Sequence, residues 1–197
     1  VYGRELLQRG LRVIAVSRPG YLRTPLLTGV TPWEQADALA SLLSELGIEQ
    51  CAVLAVSEGT PCALQLAKRH PGLVTSMALL SPYAFRVTYT EISSVGYRLF
   101  HDFTGDLGCW LFSLRMAVDP RSAFAEIIGR DSSLRPSRCN ALAMEAMKDP
   151  RQGAFLQGLF QSITPLSLRE AGIINDNAQL KDPGAFPPGP IGMPVLA

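Results

Sequence analysis

The first 82 residues alternate between short apolar runs and segments with helical periodicity, and this alternation limits the possible folds most strongly. Three apolar runs are typical of buried strands, at Leu11–Val16, Cys51–Val56 and Thr75–Leu80. Two helices are predicted among them, over Thr31–Gly47 and Thr60–His70. Strands separated by helices of about 10–15 residues form parallel βαβ units. The sequence therefore predicts an α/β fold built on a doubly wound parallel sheet.

The predicted helix that begins near Thr31 has clear start and stop signals. Thr31 is a suitable N-cap, and Glu34 completes a capping box with it. Pro32 suits the first turn, and Gly47 suits a left-handed C-terminal cap. An apolar face repeats at helical spacing through Ala36, Leu39, Ala40, Leu43 and Leu46.

The pattern changes after residue 82, where strand signals disappear and all eight Phe occur. Apolar residues there repeat at helical spacing, so we predict a helical insertion over residues 83–185. Its aromatic and aliphatic stripe, for example Leu107, Trp110, Leu111 and Leu114, is interpreted as the core of the insertion. The alternative is that the stripe lines an apolar ligand pocket.

The sequence predicts three regions. Residues 1–82 form part of an α/β core, residues 83–185 the helical insertion, and residues 186–197 the end of a Pro/Gly-rich linker and the start of another core strand at Pro194–Ala197. The chain opens on Val1 without a signal-peptide pattern, and its last residues resemble a strand that has just begun. We therefore expect the chain to be an incomplete part of a longer protein.

Composition excludes several classes of partner. The net charge is +1, which provides no basic surface for nucleic acid or an anionic membrane. The longest apolar run has six residues, whereas a membrane-spanning helix needs about 20. No metal-ligand cluster and no Gly-rich phosphate loop is visible, so we expect neither metal nor cofactor. The cysteines do not have metal-site or redox-pair spacing, and we expect four reduced thiols in a cytoplasmic protein, at Cys51, Cys62, Cys109 and Cys139.

The junction that follows Val56 carries the clearest chemical signal. A buried strand ends there, Ser57 follows at once, and a helix begins within three residues. A nucleophile elbow requires this context, because a tight turn must lift the Ser hydroxyl above the sheet. Such a turn needs small residues two positions before and after the Ser, and Ala55 and Gly59 occupy those positions. The alternative is a Ser in an ordinary strand-to-helix turn.

Glu58 follows the candidate nucleophile. Its backbone N–H would face an oxyanion that develops during attack by Ser57, and the start of the following helix would add positive potential. Its carboxylate would oppose that negative charge unless it turns away or is paired.

Most of the chain resembles the α/β-hydrolase superfamily, in its cap-bearing, serine-nucleophile bacterial branch. Arg12–Pro25, Glu34–Pro71 and Val74–Pro82 are similar to core segments of that family, including the elbow. Pro165–Leu180 resembles the end of the family's cap, and IGMPVLA at the C-terminus resembles the strand before the catalytic acid. The resemblance implies a partial hydrolase-type sheet with an inserted helical cap, or lid, and Ser57 as nucleophile.

The resemblance also implies what the given residues lack. The family's chain order is Ser, then acid, then His, so the acid and His are expected beyond Ala197. A second oxyanion donor and a central strand are expected before Val1, so the fragment by itself should be inactive. His70 is interpreted as structural, because it lies at the C-terminal end of a predicted helix, where it can interact with the last carbonyls. His101 is interpreted as structural or exposed, since adjacent residues such as His101 and Asp102 point in different directions on a helix, and the alternative is a contact with substrate. Tyr21 either packs its loop or lines the pocket.

These patterns predict cleavage of a small ester, amide or activated carbon–carbon bond through an acyl-enzyme at Ser57. Ser at the elbow argues against reactions that need a carboxylate nucleophile. The expected partner is a small apolar substrate, and the oligomeric state is not predicted. The alternative function is a non-catalytic family member that binds a small hydrophobic ligand.

Overall fold

The computed structural model describes residues 3–82, 105–130, 132–162, 164–179 and 191–197. The described residues form two compact units. We call residues 16–82, 169–179 and 191–197 the sheet unit, and residues 3–15 with the described part of 105–168 the helical unit. The domain boundaries given by the sequence, 1–82, 83–185 and 186–197, stay a prediction.

Eight α-helices occur in the described residues: α1 (Arg4–Gln8), α2 (Pro32–Glu45), α3 (Thr60–Arg69), α4 (Gly105–Val118), α5 (Pro120–Arg130), α6 (Pro136–Lys148), α7 (Pro150–Ser162) and α8 (Glu170–Gln179). Helices α2, α3 and α8 belong to the sheet unit. None of the helices in these ranges is long and apolar enough to cross a bilayer.

The sheet unit contains three parallel strands in the order β1–β2–β3, namely β1 (Cys51–Val56), β2 (Val74–Leu80) and β3 (Val195–Leu196). Each lies within one residue of a strand predicted from sequence. The apolar run at each position, bounded by turn residues, explains this agreement. The α/β class and the parallel sheet are confirmed.

Helix α2 begins and ends as its sequence predicts. The Thr31 hydroxyl accepts a hydrogen bond from the Glu34 N–H at 3.3 Å, and the Glu34 carboxylate accepts one from the Thr31 N–H at 2.8 Å. Gly47 has φ +66°, a conformation that glycine adopts without a Cβ penalty. Side chains of α2 and α3 pack with β1 and β2 into one core, whose buried members are Ala36, Ala55, Ala63, Leu66, Ala67, Val74, Met77 and Leu79.

The prediction of a strand over Leu11–Val16 is wrong for this structure. These residues have no regular secondary structure, and the Leu11 and Val16 side chains are 55% and 40% exposed. An extended segment becomes a stable strand only when a neighbour satisfies its backbone N–H and C=O groups. No described strand pairs with this segment or with the outer edge of β1. An apolar run alone was not sufficient evidence for a strand.

In the helical unit, two Asp-Pro pairs set helix starts. The Asp119 carboxylate accepts from the Ser122 N–H at 3.1 Å, and the Asp149 carboxylate accepts from the Arg151 N–H at 2.8 Å. The following residue in each case is the first of a helix, a position where the missing N–H of proline has no cost. The buried core of this unit comprises Met116, Ala123, Phe124 and Ala143.

The interpretation of the insertion's apolar stripe as core holds for Phe124 of α5, which is 6% exposed, but is wrong for α4. The stripe's side chains there are 51–61% exposed, at Leu107, Trp110, Leu111 and Leu114. The side chains of α4 that are buried are instead those of Cys109 and Met116. Helical periodicity identifies an apolar face, but the neighbouring helices decide which face packs. The alternative interpretation, a lining for an apolar ligand, stays a prediction.

Candidate active site

Ser57 lies at a strained junction between β1 and α3. Strand β1 ends at Val56, residues Ser57–Gly59 form a single 3-10 turn, and α3 begins at Thr60. Ser57 has φ +49°, which residues with a Cβ rarely adopt. Such strain is common where a side chain must be held in a functional orientation. The elbow predicted from sequence is therefore present as backbone geometry.

The neighbouring strand ends beside Ser57 in the same way. Val56 pairs in register with Leu80, so Ser57 and Ser81 follow adjacent strands at the same edge of the sheet. Ser81 has φ +48°. In open α/β sheets, ligands bind at the carboxyl ends of the strands, and both hydroxyl residues lie at that edge.

Thr60 stabilises this turn through two hydrogen bonds to Ser57. Its side chain is fully buried, and its hydroxyl donates to the Ser57 carbonyl oxygen at 2.8 Å. The Thr60 backbone N–H donates to the same carbonyl. Two donors from one residue thus hold the backbone of Ser57 against the start of α3.

Removing the Thr60 hydroxyl should destabilise the fold modestly. We expect Thr60→Val to lower the free energy of unfolding by about 1 kcal/mol, because the Ser57 carbonyl loses one of its two donors in a buried site. Thr60→Ser keeps the hydroxyl and should recover most of that loss. Chemical denaturation of both variants measures the difference. A Thr60→Val variant as stable as the wild type would show that the hydrogen bond contributes nothing measurable to the fold.

The small residues around Ser57 differ in their roles. Ala55 is 6% exposed within the core. Gly59 has φ −76°, and a Cβ built there meets no atom within 4 Å in the described part of the chain. The sequence argument that Gly59 must be small because strand and helix approach closely is therefore not supported at this position.

Glu58 follows Ser57 in the 3-10 turn, ahead of the first turn of α3. The first N–H groups of a helix have no carbonyl partner within the helix, so donors near this end are available to an anion. The Glu58 side chain is half-buried and lines a small recess with Arg18, Cys62 and Asp176. Burial raises the pKa of the Cys62 thiol to about 12, so the thiol stays protonated.

The recess contains a buried ion pair. The Asp176 side chain is 7% exposed and that of Arg18 18%, and the guanidinium contacts both carboxylate oxygens, with Nη1 to Oδ1 at 3.0 Å. Arg18 Nη1 also donates to Gln35 Oε1 at 3.1 Å. The Tyr21 hydroxyl donates to Asp176 Oδ2 at 2.5 Å, and the Arg18 guanidinium lies 4.8 Å from the Tyr21 ring centre. Helix α8 is thereby attached to the loop that precedes α2.

Two glycines allow helix α8 to approach this loop. The Gly172 N–H donates to the Gly20 carbonyl at 2.9 Å. A Cβ on Gly172 would lie 2.2 Å from Tyr21 Cε2, and a Cβ on Gly20 would lie 2.6 Å from Gly172 Cα. The Asn175 amide donates to the Val30 carbonyl at 2.7 Å. The contact therefore depends on the absence of side chains at both glycines.

Gly172→Ala should loosen this contact. We expect a loss of about 2 kcal/mol in the free energy of unfolding, because the added methyl displaces the Tyr21 ring from a packed position. Gly59→Ala is the matched control and should change stability by less than about 0.5 kcal/mol, since that methyl enters open space. Thermal or chemical unfolding compares the two. A neutral Gly172→Ala would mean that the close approach at α8 is not a feature of the folded protein.

The structure brings together some of the predicted residues and not others. Ser57, Glu58 and Tyr21 belong to the same unit, and Tyr21 makes the polar contacts described above. His70 lies at the opposite end of α3, about 15 Å along the helix axis from Ser57, so it is not placed to act on that residue. Its Nε2 lies 2.8 Å from Asp37 Oδ1, as expected for a structural role. His101, with Asp102, lies outside the described residues.

Sequence reasoning did not identify Asp176 or Gln35. Asp176 is separated from Arg18 by 158 residues, so no local spacing could reveal the pair. A weak signal exists in the Asn-Asp-Asn run of α8, which follows two isoleucines, because an Asp side chain is rarely buried unless it is paired. In the described ranges, no group of three or more His, Cys, Asp or Glu residues could hold a metal ion.

A family model and a solved structure that resemble this chain have the same fold description. A family model described as alpha/beta hydrolase fold matches residues 3–100. The chain is also similar to a solved alpha/beta hydrolase fold protein from Nakamurella multipartita. Sequence identity is 31%, the TM-score is 0.78, and the match covers 91% of this chain and 61% of that one.

Two curated proteins match shorter parts of the chain. One is the uncharacterized hydrolase YcgS of Bacillus subtilis, 34% identical over 76 residues, which are 39% of this chain and 27% of that protein. The other is the dihydrolipoyllysine-residue acetyltransferase component of the acetoin cleaving system of Cupriavidus necator. It is 39% identical over 86 residues, which are 43% of this chain and 23% of that protein. The chain thus matches about a quarter of the length of these relatives.

Proposed function

Because this chain belongs to the α/β-hydrolase superfamily, we propose that the full-length protein is a serine hydrolase with Ser57 as its nucleophile. The observation that carries this proposal is the left-handed backbone of Ser57, φ +49°, at the junction of β1 and α3. A nucleophile elbow requires such a strained turn directly between a strand and a helix, and Ser57 occupies that place.

The proposed reaction forms and breaks one acyl bond on the enzyme. Ser57 Oγ attacks a carbonyl carbon, and its proton passes to a general base. The backbone N–H of Glu58 donates to the resulting oxyanion. Collapse of this intermediate expels the leaving group, which takes up the proton, and water then attacks the acyl-enzyme in the same manner. An ester, an amide or an activated carbon–carbon bond can be cleaved in this way.

The base and its orienting acid are proposed to follow β3 in the sequence. The family's chain order places both after the nucleophile, with the His last. Among the described residues His70 is the only histidine, and it lies at the far end of α3. No cofactor is needed for this chemistry, and a small apolar substrate remains the proposed partner.

An acyl-ester assay tests the proposal. The full-length protein is incubated with nitrophenyl esters of increasing acyl length, and release of nitrophenol is followed. We expect turnover with a preference among the apolar acyl chains. Binding of the corresponding acids, seen as a rise in melting temperature without turnover of any ester, would instead support the non-catalytic ligand-binding alternative.

A further inference from the structure

A buried amide lines the recess described above. Gln35 is 1% exposed, and it borders the recess together with Glu58 and Asp176. Its Oε1 atom accepts a hydrogen bond from Arg18 Nη1 at 3.1 Å. Because a guanidinium group can only donate, the end of the amide that meets Arg18 is the oxygen. The Gln35 Nε2 group, which carries two N–H donors, is therefore available to a different partner.

The Nε2 group of Gln35 requires an acceptor. Among the residues that the structure describes, no protein atom accepts a hydrogen bond from it. Buried side-chain polar atoms almost always have a partner, which is either a protein group or an ordered water. An amide that lost its hydration on folding without such a partner would destabilise the protein. An acceptor that enters the recess would satisfy Gln35.

Two carboxyl groups border the same recess from other elements. Glu58 belongs to the 3-10 turn after β1, and Asp176 belongs to helix α8. Asp176 Oδ1 accepts from Arg18 Nη1 at 3.0 Å, and a carboxylate oxygen can accept a second hydrogen bond. Since Arg18 Nη1 donates to both Gln35 and Asp176, these two side chains lie next to each other at the recess. The recess thus combines an amide donor with two carboxyl acceptors.

The size and polarity of the recess select its ligand. It has room for about one water molecule. A water molecule can accept from Gln35 Nε2 and donate to two carboxyl groups, and buried waters typically make about three hydrogen bonds. A cation has no lone pair for the amide N–H, and an anion would meet two carboxyl groups. A neutral O–H group matches all three partners.

We propose that this recess is a binding site for a single water molecule, which accepts a hydrogen bond from Gln35 Nε2 and donates to the Glu58 carboxyl group and to Asp176 Oδ1. The water connects helix α2 to the turn that follows Ser57 and to helix α8. It also gives the Glu58 carboxyl group a partner within the recess. The site involves no reaction at Ser57, so it does not depend on the function proposed above.

Cross-relaxation between water and the Gln35 side-chain amide tests this site in the full-length protein. The two amide protons are assigned by NMR through the side-chain carbons of Gln35. Magnetisation transfer from water is then measured in the laboratory frame and in the rotating frame. A bound water gives signals of opposite sign in the two experiments, whereas proton exchange gives the same sign. We expect opposite signs. Signals of the same sign, or no signal, would overturn the proposal.

Tyr21→Phe is the matched control for this measurement, because a hydroxyl proton that exchanges with solvent can imitate a bound water. The Tyr21 hydroxyl donates to Asp176 Oδ2 at 2.5 Å, and Tyr21 is not among the described residues that line the recess. The water signal at Gln35 should therefore persist in Tyr21→Phe. Its disappearance would assign the signal to the hydroxyl proton, and the proposal would be wrong.

A pair of Glu58 variants tests the bridge itself. Glu58→Met removes the carboxyl acceptor at similar side-chain length, whereas Glu58→Gln keeps a side-chain oxygen that can accept. We expect the water signal at Gln35 to be lost or strongly reduced in Glu58→Met and to remain in Glu58→Gln, with a melting curve for each variant to show that it is folded. An unchanged signal in Glu58→Met, or an equal loss in both variants, would contradict the bridge. If Glu58→Met does not fold, the wild-type and Tyr21→Phe spectra still decide whether the water is bound.

Discussion

Replacing Asp176 with asparagine is expected to lower the free energy of unfolding by about 3 kcal/mol. The substitution leaves the Arg18 guanidinium without its counter-charge in a site where the Asp176 side chain is 7% exposed. Removing one partner of a buried pair is costly because the remaining charge stays desolvated. We place the effect at the lower end of the range for such pairs because 18% of the Arg18 side chain remains exposed. Chemical denaturation of the full-length protein measures it.

An exposed ion pair supplies the control for this experiment. Asp37 pairs with Arg69 at 2.6 Å, and both side chains are 42% exposed. Asp37→Asn should therefore cost less than about 1 kcal/mol, because water screens the pair and solvates either partner. Similar losses for the two variants would contradict the account of Asp176 as a buried anchor of α8.

Ser57→Ala is expected to reduce ester turnover about 10⁴-fold or more, the scale seen when a nucleophile is removed from a serine hydrolase. The folded structure should persist, since the Ser57 carbonyl and not its hydroxyl receives the hydrogen bond from Thr60. Steady-state kinetics of the full-length protein, with a melting curve for each variant, measure both properties.

Ser81→Ala is a closely matched control. Ser81 follows the neighbouring strand at the same edge of the sheet, and its φ of +48° is nearly that of Ser57. It should keep turnover within about twofold of wild type, because no catalytic role is assigned to it. An equal loss in both variants would mean that the edge of the sheet was disturbed, and the assignment of Ser57 would lose its support.

Local sequence signals were sufficient for the elements around the elbow. Strands β1 and β2 are short apolar runs bounded by turn residues, and α2 carries a capping box, so each can be located without knowledge of its neighbours. The position of Ser57 between β1 and α3 follows from these elements. The left-handed backbone at Ser57 confirms the geometry that the elbow pattern predicts, while the chemical role stays a proposal.

Features that depend on distant partners could not be predicted locally. The run at Leu11–Val16 has the composition of a strand, but pairing decides whether a strand forms. Periodicity in α4 identifies an apolar face but not the neighbour that it packs against, so it predicts a buried Trp110, whereas that side chain is 61% exposed. The pairing of Arg18 with Asp176 spans most of the chain, and it becomes apparent only when α8 lies against its loop.

The most direct test of Ser57 is to locate the adduct that a fluorophosphonate forms on the full-length protein. The labelled protein is digested, and the modified residue is identified by fragmentation mass spectrometry. We predict a single phosphonyl group on Ser57, with none on Ser81, and no adduct when Ser57→Ala is treated in parallel. A phosphonyl group on another residue of the folded protein, or none at all, would contradict the assignment of Ser57 as an activated nucleophile.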